Sequence, residues 1–434
     1  VSIGTNFPAV SRPAPVRITD LAAPGFPAAT VPIREAMAEM GATVQLREDA
    51  LLADAVAQTG LEDFGDDLDD GWWRTPFSLL VRIHRDAPQL SAAGRLATYA
   101  QFVGLLKNRL LLRDYLRRHP EAAAVAVTAP IIICGLPRTG TTHLHNLMGA
   151  DPALRSLPYW EANEPVPLPG EQPDQRQART AGGLQILNAC VPYFVRMHEM
   201  TTDHVHEEIA LLQMAFASQV FESLGFLAEY REWVVATDQT PAYEYMKRCL
   251  AVLAHQRGAG KRWVLKSPQH LEQFAVLRRV FPDATYVVTH RDPVAVCASL
   301  ATMMSYLARL SIDHPDPVAI GGFWIDRIDT VLRRCVADRE LLPPDQSIDV
   351  YFDEFMADDL AMVERIYGLA GQPFGAASRG AMATYLADHP RGRHGGVVYD
   401  LAGDFGVTAA ALEERFAYYT DRFPAAVRSP NASG

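Results

Sequence analysis

Lysine is scarce in this sequence: four residues against thirty-six arginines in a chain of 434. Arginine is the habitual cation, so a retained lysine marks a place where a compact point charge is wanted instead of a planar fork. Positive charge as a whole is also short, with 40 basic against 51 acidic residues and a net charge of −11. Such a chain argues against non-specific nucleic-acid binding, which needs a basic face. Any anionic ligand must then be held by local cations. No run of eighteen apolar residues occurs, so nothing reads as a transmembrane helix and no integral membrane association is expected. Cys134, Cys190, Cys249, Cys297 and Cys335 are odd in number and widely spaced. That pattern fits buried thiols in a reducing compartment better than disulfides. The N-terminus lacks a basic-then-apolar leader, and the expected location is the cytoplasm. What remains is 49% hydrophobic and 21% charged, the profile of a globular protein with a sizeable core.

The chemistry is concentrated between Pro130 and Thr142. Ile131-Ile132-Ile133-Cys134 reads as a short buried strand, followed by a glycine-bracketed turn and a helix opening at Thr141. Such a turn aims unpaired N–H groups and the positive helix end at one point, a seat for phosphate. The spacing Gly135-x-x-x-x-Gly140-x-Thr142 is that of a P-loop, but Thr141 stands where ATPases and GTPases carry lysine. The loop's cation is Arg138 instead. A triphosphate site works with that lysine and a magnesium ion. Hydroxyls and one arginine better suit a less charged phosphosulfate, whose sulfuryl group can transfer without a metal. The bland alternative is a glycine turn that merely joins strand to helix.

Gly135-Leu136-Pro137-Arg138-Thr139-Gly140-Thr141-Thr142 resembles the 5′-phosphosulfate loop of sulfotransferases that use 3′-phosphoadenosine-5′-phosphosulfate (PAPS). The Arg-Thr-Gly-Thr-Thr form resembles the bacterial, actinobacterial-like branch, a group of longer chains with a helical N-terminal extension. The resemblance covers roughly 125–420. It implies PAPS as co-substrate, no required metal, and donor contacts from Pro137, Arg138, Thr139, Gly140, Thr141 and Thr142. Arg138 would also act on the leaving side during transfer.

A second segment supports the first. Thr285 to His290 is a β-branched strand, Asp292 an N-cap and Pro293 the first residue of an alanine-rich helix. Arg291 and Ser299, eight residues apart, resemble the family's 3′-phosphate pair. The alternative is that Arg291 pairs with a carboxylate and Ser299 packs inside its helix. Between the two segments, Lys266 ends the strand Arg262–Leu265, where the resembling enzymes have a lysine on the transferring group and the departing oxygen. Its alternative is an ordinary exposed strand-end lysine. Pro390 to Gly396 loosely resembles the family's late basic loop, which makes Arg391 and Arg393 candidate contacts. His143 replaces the tryptophan that stacks on adenine in animal enzymes.

An acceptor hydroxyl needs a proton acceptor. Asp203-His204-Val205-His206-Glu207-Glu208 is the densest candidate cluster, with Glu207 first and His206 second. Carboxylates there could equally cap the following helix. His198 and His270 are weaker candidates; the resemblance places Pro268 where the animal enzymes have their histidine.

For organisation, residues 1–30 read as an extended or poorly ordered arm and 31–120 as a helical N-terminal region. Residues 121–434 read as the sulfotransferase domain, with 151–260 a helical substrate-site segment. The predicted fold is α/β: a P-loop-like parallel sheet with helices on both faces. Strands are expected at 130–134, 263–266, 284–290 and 348–352, and inserted helices at 178–198, 205–230 and 241–258. Asp66-Asp67-Leu68-Asp69-Asp70 reads as a solvated turn rather than a metal site. The apolar helices of 178–258, with Trp160, Tyr193 and Phe194, point to a small-molecule, lipid or glycolipid hydroxyl acceptor. The rival readings are a P-loop nucleotide kinase or phosphoryl transferase, and an inactive scaffold that binds PAP, the 3′,5′-bisphosphate left after transfer.

Overall fold

The computed structural model describes residues 12–427. Its central sheet has five parallel strands: β1 Ile131–Cys134, β2 Leu154–Arg155, β3 Arg262–Ser267, β4 Thr285–His290 and β5 Ser347–Tyr351. Their spatial order is β2-β3-β1-β4-β5. The helices that shape the site are α1 Ala92–Arg118, α2 Thr141–Gly149, α3 Arg176–Cys190, α4 Thr240–Arg257 and α5 Pro293–Ala308.

β1 is apolar throughout because both faces of the sheet are covered. Ile131 and Ile133 pack with Leu144 and Leu147 of α2, while Ile132 and Cys134 join the larger core with Leu250 of α4 on the other face. Ile133 lies opposite Lys266 of β3 on one side and Val287 of β4 on the other. Three adjacent strands therefore end at the same edge, and the turns after Cys134, Ser267 and His290 converge there. Ligands of open parallel sheets bind at that carboxyl edge.

Tertiary contacts change several expectations. The helix expected over 205–230 is broken into Ile209–Gln213, a 3-10 turn at Gln219–Leu224 and Ala228–Ala236. Phe216 sits at φ 55°, and its carbonyl and the Ser218 N–H are both bound by the Tyr230 hydroxyl. Backbone groups that a helix would have paired are satisfied there by side chains from elsewhere. The helix expected over 178–198 ends at Cys190, ahead of Pro192, and a 3-10 turn follows at Phe194–Arg196. The acidic cluster is only partly solvated, because Asp69 is buried and paired at 3.0 Å with the fully buried Arg109 of α1. That guanidinium lies between the rings of Trp73 and Tyr245.

Within the expected arm, Val16–Arg17 pairs in parallel with Val397–Val398, and Ile18 and Leu21 are buried in the core. Residues 1–11 lie outside the described residues. All five cysteines are buried free thiols. Among the described residues no helix is long and apolar enough to cross a membrane.

Candidate active site

Two residues in the left-handed region shape the turn after β1: Arg138 at φ 71° and Gly140 at φ 84°. Glycine adopts that conformation without strain, whereas Arg138 is held in it by its contacts. Gly135 is needed for closeness, since a Cβ there would lie 1.8 Å from Thr289 Oγ1. The buried Thr139 hydroxyl donates to the Leu136 carbonyl at 2.7 Å and meets Thr289 Oγ1, also at 2.7 Å. Its side chain therefore braces the loop against β4 and is not available to a ligand. Past Gly140 the first turn of α2 presents its amides at the strand edge.

Two cavities meet at this loop. One, of 660 Å³, is walled by Arg138, Gly140, Thr142, Arg291, Arg391 and Arg393. The other, of 740 Å³, is lined by apolar side chains such as Leu105, Phe194, Met303 and Leu307 together with His206, Glu207 and Lys266. Arg138, Thr141, Thr142 and His198 border both. Pro137 faces only the apolar cavity. Five arginines around one cavity, Arg196 being the fifth, concentrate positive charge locally in a chain of net negative charge, as an anionic ligand requires.

Arg138 does not turn toward Lys266. Its Nε donates to Ser299 Oγ at 2.9 Å and its Nη1 to the Met197 carbonyl. Arg291 donates to the Arg138 carbonyl and lies 4.0 Å from the centre of the Phe352 ring. The expected Arg291/Ser299 pair is thus brought together around Arg138. Ser299 is buried and donates to the Tyr399 hydroxyl at 2.9 Å. Burial first, then the charge of Arg138, lowers the pKa of the Arg291 guanidinium. An anion between the two would offset both effects.

On the far wall, Arg391 and His143 share Oδ1 of Asp359, His143 at 3.1 Å. Arg393 donates to Glu199 Oε1 at 2.5 Å. The His143 ring lies 5.5 Å from Phe355 and 6.5 Å from Tyr385. Tyr385 in turn stacks on His389 at 4.3 Å. A planar heterocycle has aromatic neighbours here. Glu199, Phe352, Asp359 and Tyr385 carry no sequence signal that distinguishes them.

At the junction, Lys266 Nζ donates to Glu207 Oε1 and to Thr142 Oγ1, the latter at 3.4 Å. Lys266 is therefore not the exposed strand-end residue of the alternative; its side chain is 3% accessible, against 16% for Glu207. Burial of a lysine is tolerated where a carboxylate pairs with it. Glu207 is no helix cap, as the helix begins at Ile209. Next to it, buried Glu208 accepts the Lys266 backbone N–H at 2.8 Å and the His270 Nε2–H at 2.5 Å. His270 Nδ1 accepts from Tyr243 at 2.9 Å, so this histidine is locked in the core and has no access to either cavity.

His206 packs 4.6 Å from Tyr159. Burial, followed by the charges of His204, His198 and Lys266, pushes its pKa well below the ordinary value. His198 is pushed down likewise, and His204 to about 4, by burial and then by Lys266. Three neutral imidazoles thus surround one ion pair. Of the three aromatics singled out for the acceptor, Phe194 lines the apolar cavity, Tyr193 is exposed, and Trp160 lies under the guanidinium of Arg176. The N-terminal helical region adds an unforeseen wall: Ala100, Gly104, Asn108 and Leu111 on one face of α1.

A family profile described as Sulfotransferase family matches residues 130–375. The chain is similar to the omega-hydroxy-beta-dihydromenaquinone-9 sulfotransferase Stf3 of Mycobacterium bovis, with 24% identity over 281 residues, 62% of this chain and 69% of that protein. Among solved structures it is similar to sulfotransferase STF1 from Mycobacterium tuberculosis, at 30% identity and a TM-score of 0.75, covering 86% of this chain and 98% of that one. Sulfotransferase STF9 from Mycobacterium avium gives 28% identity and a TM-score of 0.77, covering 87% and 97%.

Proposed function

From the premise that this chain belongs to the sulfotransferase family, we propose that its donor is PAPS, bound in the arginine-walled cavity, and that its acceptor is an apolar lipid or small molecule in the adjoining one. The protein is an enzyme that transfers a sulfuryl group to a lipid or small-molecule hydroxyl. The observation that carries the assignment of sites is the position of Lys266 Nζ, hydrogen-bonded to Thr142 of the loop and to Glu207 of the apolar cavity.

PAPS supplies the sulfuryl group and a phosphate as leaving group. The amides opening α2, with Thr141 and Thr142, hold the 5′-phosphate. Arg138, Arg291 and Ser299 hold the 3′-phosphate, and Arg391 and Arg393 close over it after exchanging their carboxylate partners for the ligand. Lys266 neutralises charge on the departing oxygen. Glu207, released from Lys266 as that charge develops, takes the proton of the acceptor hydroxyl. Neutral His206 stays beside it as a wall and a second-choice base. Glu208 holds Lys266 and the 203–208 segment in register. We extend the substrate-site segment beyond 151–260 to include α1, whose side chains line the same cavity.

A thermal-shift panel tests this reading. PAP is expected to stabilise the protein, and ATP and GTP to do so far less. Equal stabilisation by ATP would favour phosphoryl transfer. Lys266→Ala is expected to bind PAP nearly as the unchanged protein does while losing a few orders of magnitude in kcat. A catalytically silent lysine would overturn the assignment.

A further inference from the structure

A third cavity, of 690 Å³, adjoins the apolar cavity proposed for the acceptor. It is lined by His84 and Thr98 from the N-terminal region, by Thr180, Gly183 and Leu184 of α3, and by Phe221. The two cavities share ten lining residues, among them Tyr159, Leu187, Val220 and Leu224 and the ion pair of Glu164 with Arg179. They are therefore two chambers of one space, and only the inner one touches Lys266 and Glu207.

Glycine marks both chambers. Gly104 lies in the middle of α1 and lines the inner one; Gly183 lies in the middle of α3 and lines the outer one. A Cβ built at either position meets nothing within 4 Å. Neither glycine is required by a close backbone approach or a positive φ. Glycine inside a helix is less stable than alanine, so an uncrowded helical glycine has no packing reason of its own. Other helical glycines, Gly182 among them, are as open, but Gly104 and Gly183 are the two that line these chambers, where their missing side chains leave room for something other than protein.

We infer that the outer chamber is a second acceptor subsite, that Gly183 sets its width, and that the substrate class is an elongated, mainly apolar hydroxyl compound longer than the inner chamber. Its hydroxyl end reaches Lys266 and Glu207, and its body passes the wall formed by Tyr159, Leu187 and Leu224. This inference rests on the sulfotransferase reading for the chemistry at the hydroxyl end, but not for the shape of the space.

The test uses para-alkylphenols, from phenol itself to para-dodecylphenol, titrated by calorimetry into the PAP-saturated protein and assayed with PAPS. Affinity is expected to rise with chain length by up to roughly fourfold per methylene while the chain is being buried. In Gly183→Leu the rise should stop several methylenes earlier, lowering the long-to-short affinity ratio at least tenfold. Gly182→Leu is the matched control. It lies on the same helix with equally open space around its Cβ, but it lines neither chamber, so the length profile should stay as in the unchanged protein. Binding independent of length, no binding at any length, or identical profiles for Gly183→Leu and Gly182→Leu would each overturn the subsite. Length-dependent binding that Gly183→Leu truncates, with no sulfated product from any phenol, would leave the subsite standing and count against the transfer assignment.

Discussion

Replacing Glu207 with glutamine tests the centre of the site through both stability and rate. The pair it breaks is nearly buried, with Lys266 3% and Glu207 16% accessible. Removing one partner of a fully buried pair costs about 3–5 kcal/mol, because the remaining charge is left uncompensated. Glutamine retains an acceptor oxygen, and Thr142 Oγ1 stays within 3.4 Å of Nζ. The expected cost is therefore about 2–3 kcal/mol. With an unfolding entropy of roughly 2 cal/mol/K per residue, a chain this long loses only about 2–3 °C in Tm. Lys266→Met should cost less, because the carboxylate it strands is the more accessible partner. The double variant Glu207→Gln/Lys266→Met should recover most of the loss, since it leaves no lone charge. Turnover follows a different pattern: Glu207→Gln should lower kcat by about 10²–10⁴, the range of a lost general base, and the double variant should stay inactive. Scanning fluorimetry on the four proteins and kcat at saturating PAPS check both, with PAP affinity as the folding control. Strictly additive Tm losses would refute the coupling. Ordinary turnover by a folded Glu207→Gln protein would remove it as the base and move the test to His206→Ala.

Arg291→Ala should weaken PAP by roughly 10- to 150-fold, the loss of one charge-assisted contact, and barely affect AMP; equal loss for both in calorimetry would refute the 3′-phosphate assignment. Transfer should persist in excess EDTA, because Lys266 provides at the departing oxygen the positive charge that magnesium gives a kinase; activity lost on chelation and restored by magnesium would contradict this. Asp349 gives an acid-stability prediction. Burial alone would raise its pKa, but hydrogen bonds from His290 and Arg339 prevail and hold it at about 2, below the ordinary 3.8. The resulting stabilisation, about 2 kcal/mol, is fully present above about pH 4 and is lost as the pH falls through about 2. The stability gap between the unchanged protein and Asp349→Asn, followed by denaturant melts, should close over that window, and a gap independent of pH would refute it.

Local signals read well and long-range ones poorly. β1, β3 and β4 were legible because a strand buried on both faces has a short, unbroken apolar run at its centre. The break at Phe216 was not legible, because the groups that cause it, Tyr230 and Ser218, act through hydrogen bonds that an amphipathic pattern does not encode. Nor did the sequence show that Asp69 would be drawn under Arg109, since a run of acids with a glycine beside it has the composition of a solvated turn.

By itself the sequence determined the glycine-bracketed turn between β1 and α2, because a turn of this kind is coded within eight residues by glycine placement, hydroxyls and the start of a helix. It also marked Arg291 and Lys266, each at the end of its own strand. Only the tertiary structure decided which side chains face one another. The neighbouring strands β1 and β4 carry Arg138 to Ser299 across 161 residues of sequence, and the docking of Glu208 on the Lys266 N–H brings Glu207 to Lys266 across 59. The tertiary structure also turned Thr139 inward as a brace, locked His270 in the core, and made a face of α1 a wall of the apolar cavity. A turn's backbone angles are set by its own residues, whereas the partner of a side chain is set by how the sheet and its helices pack.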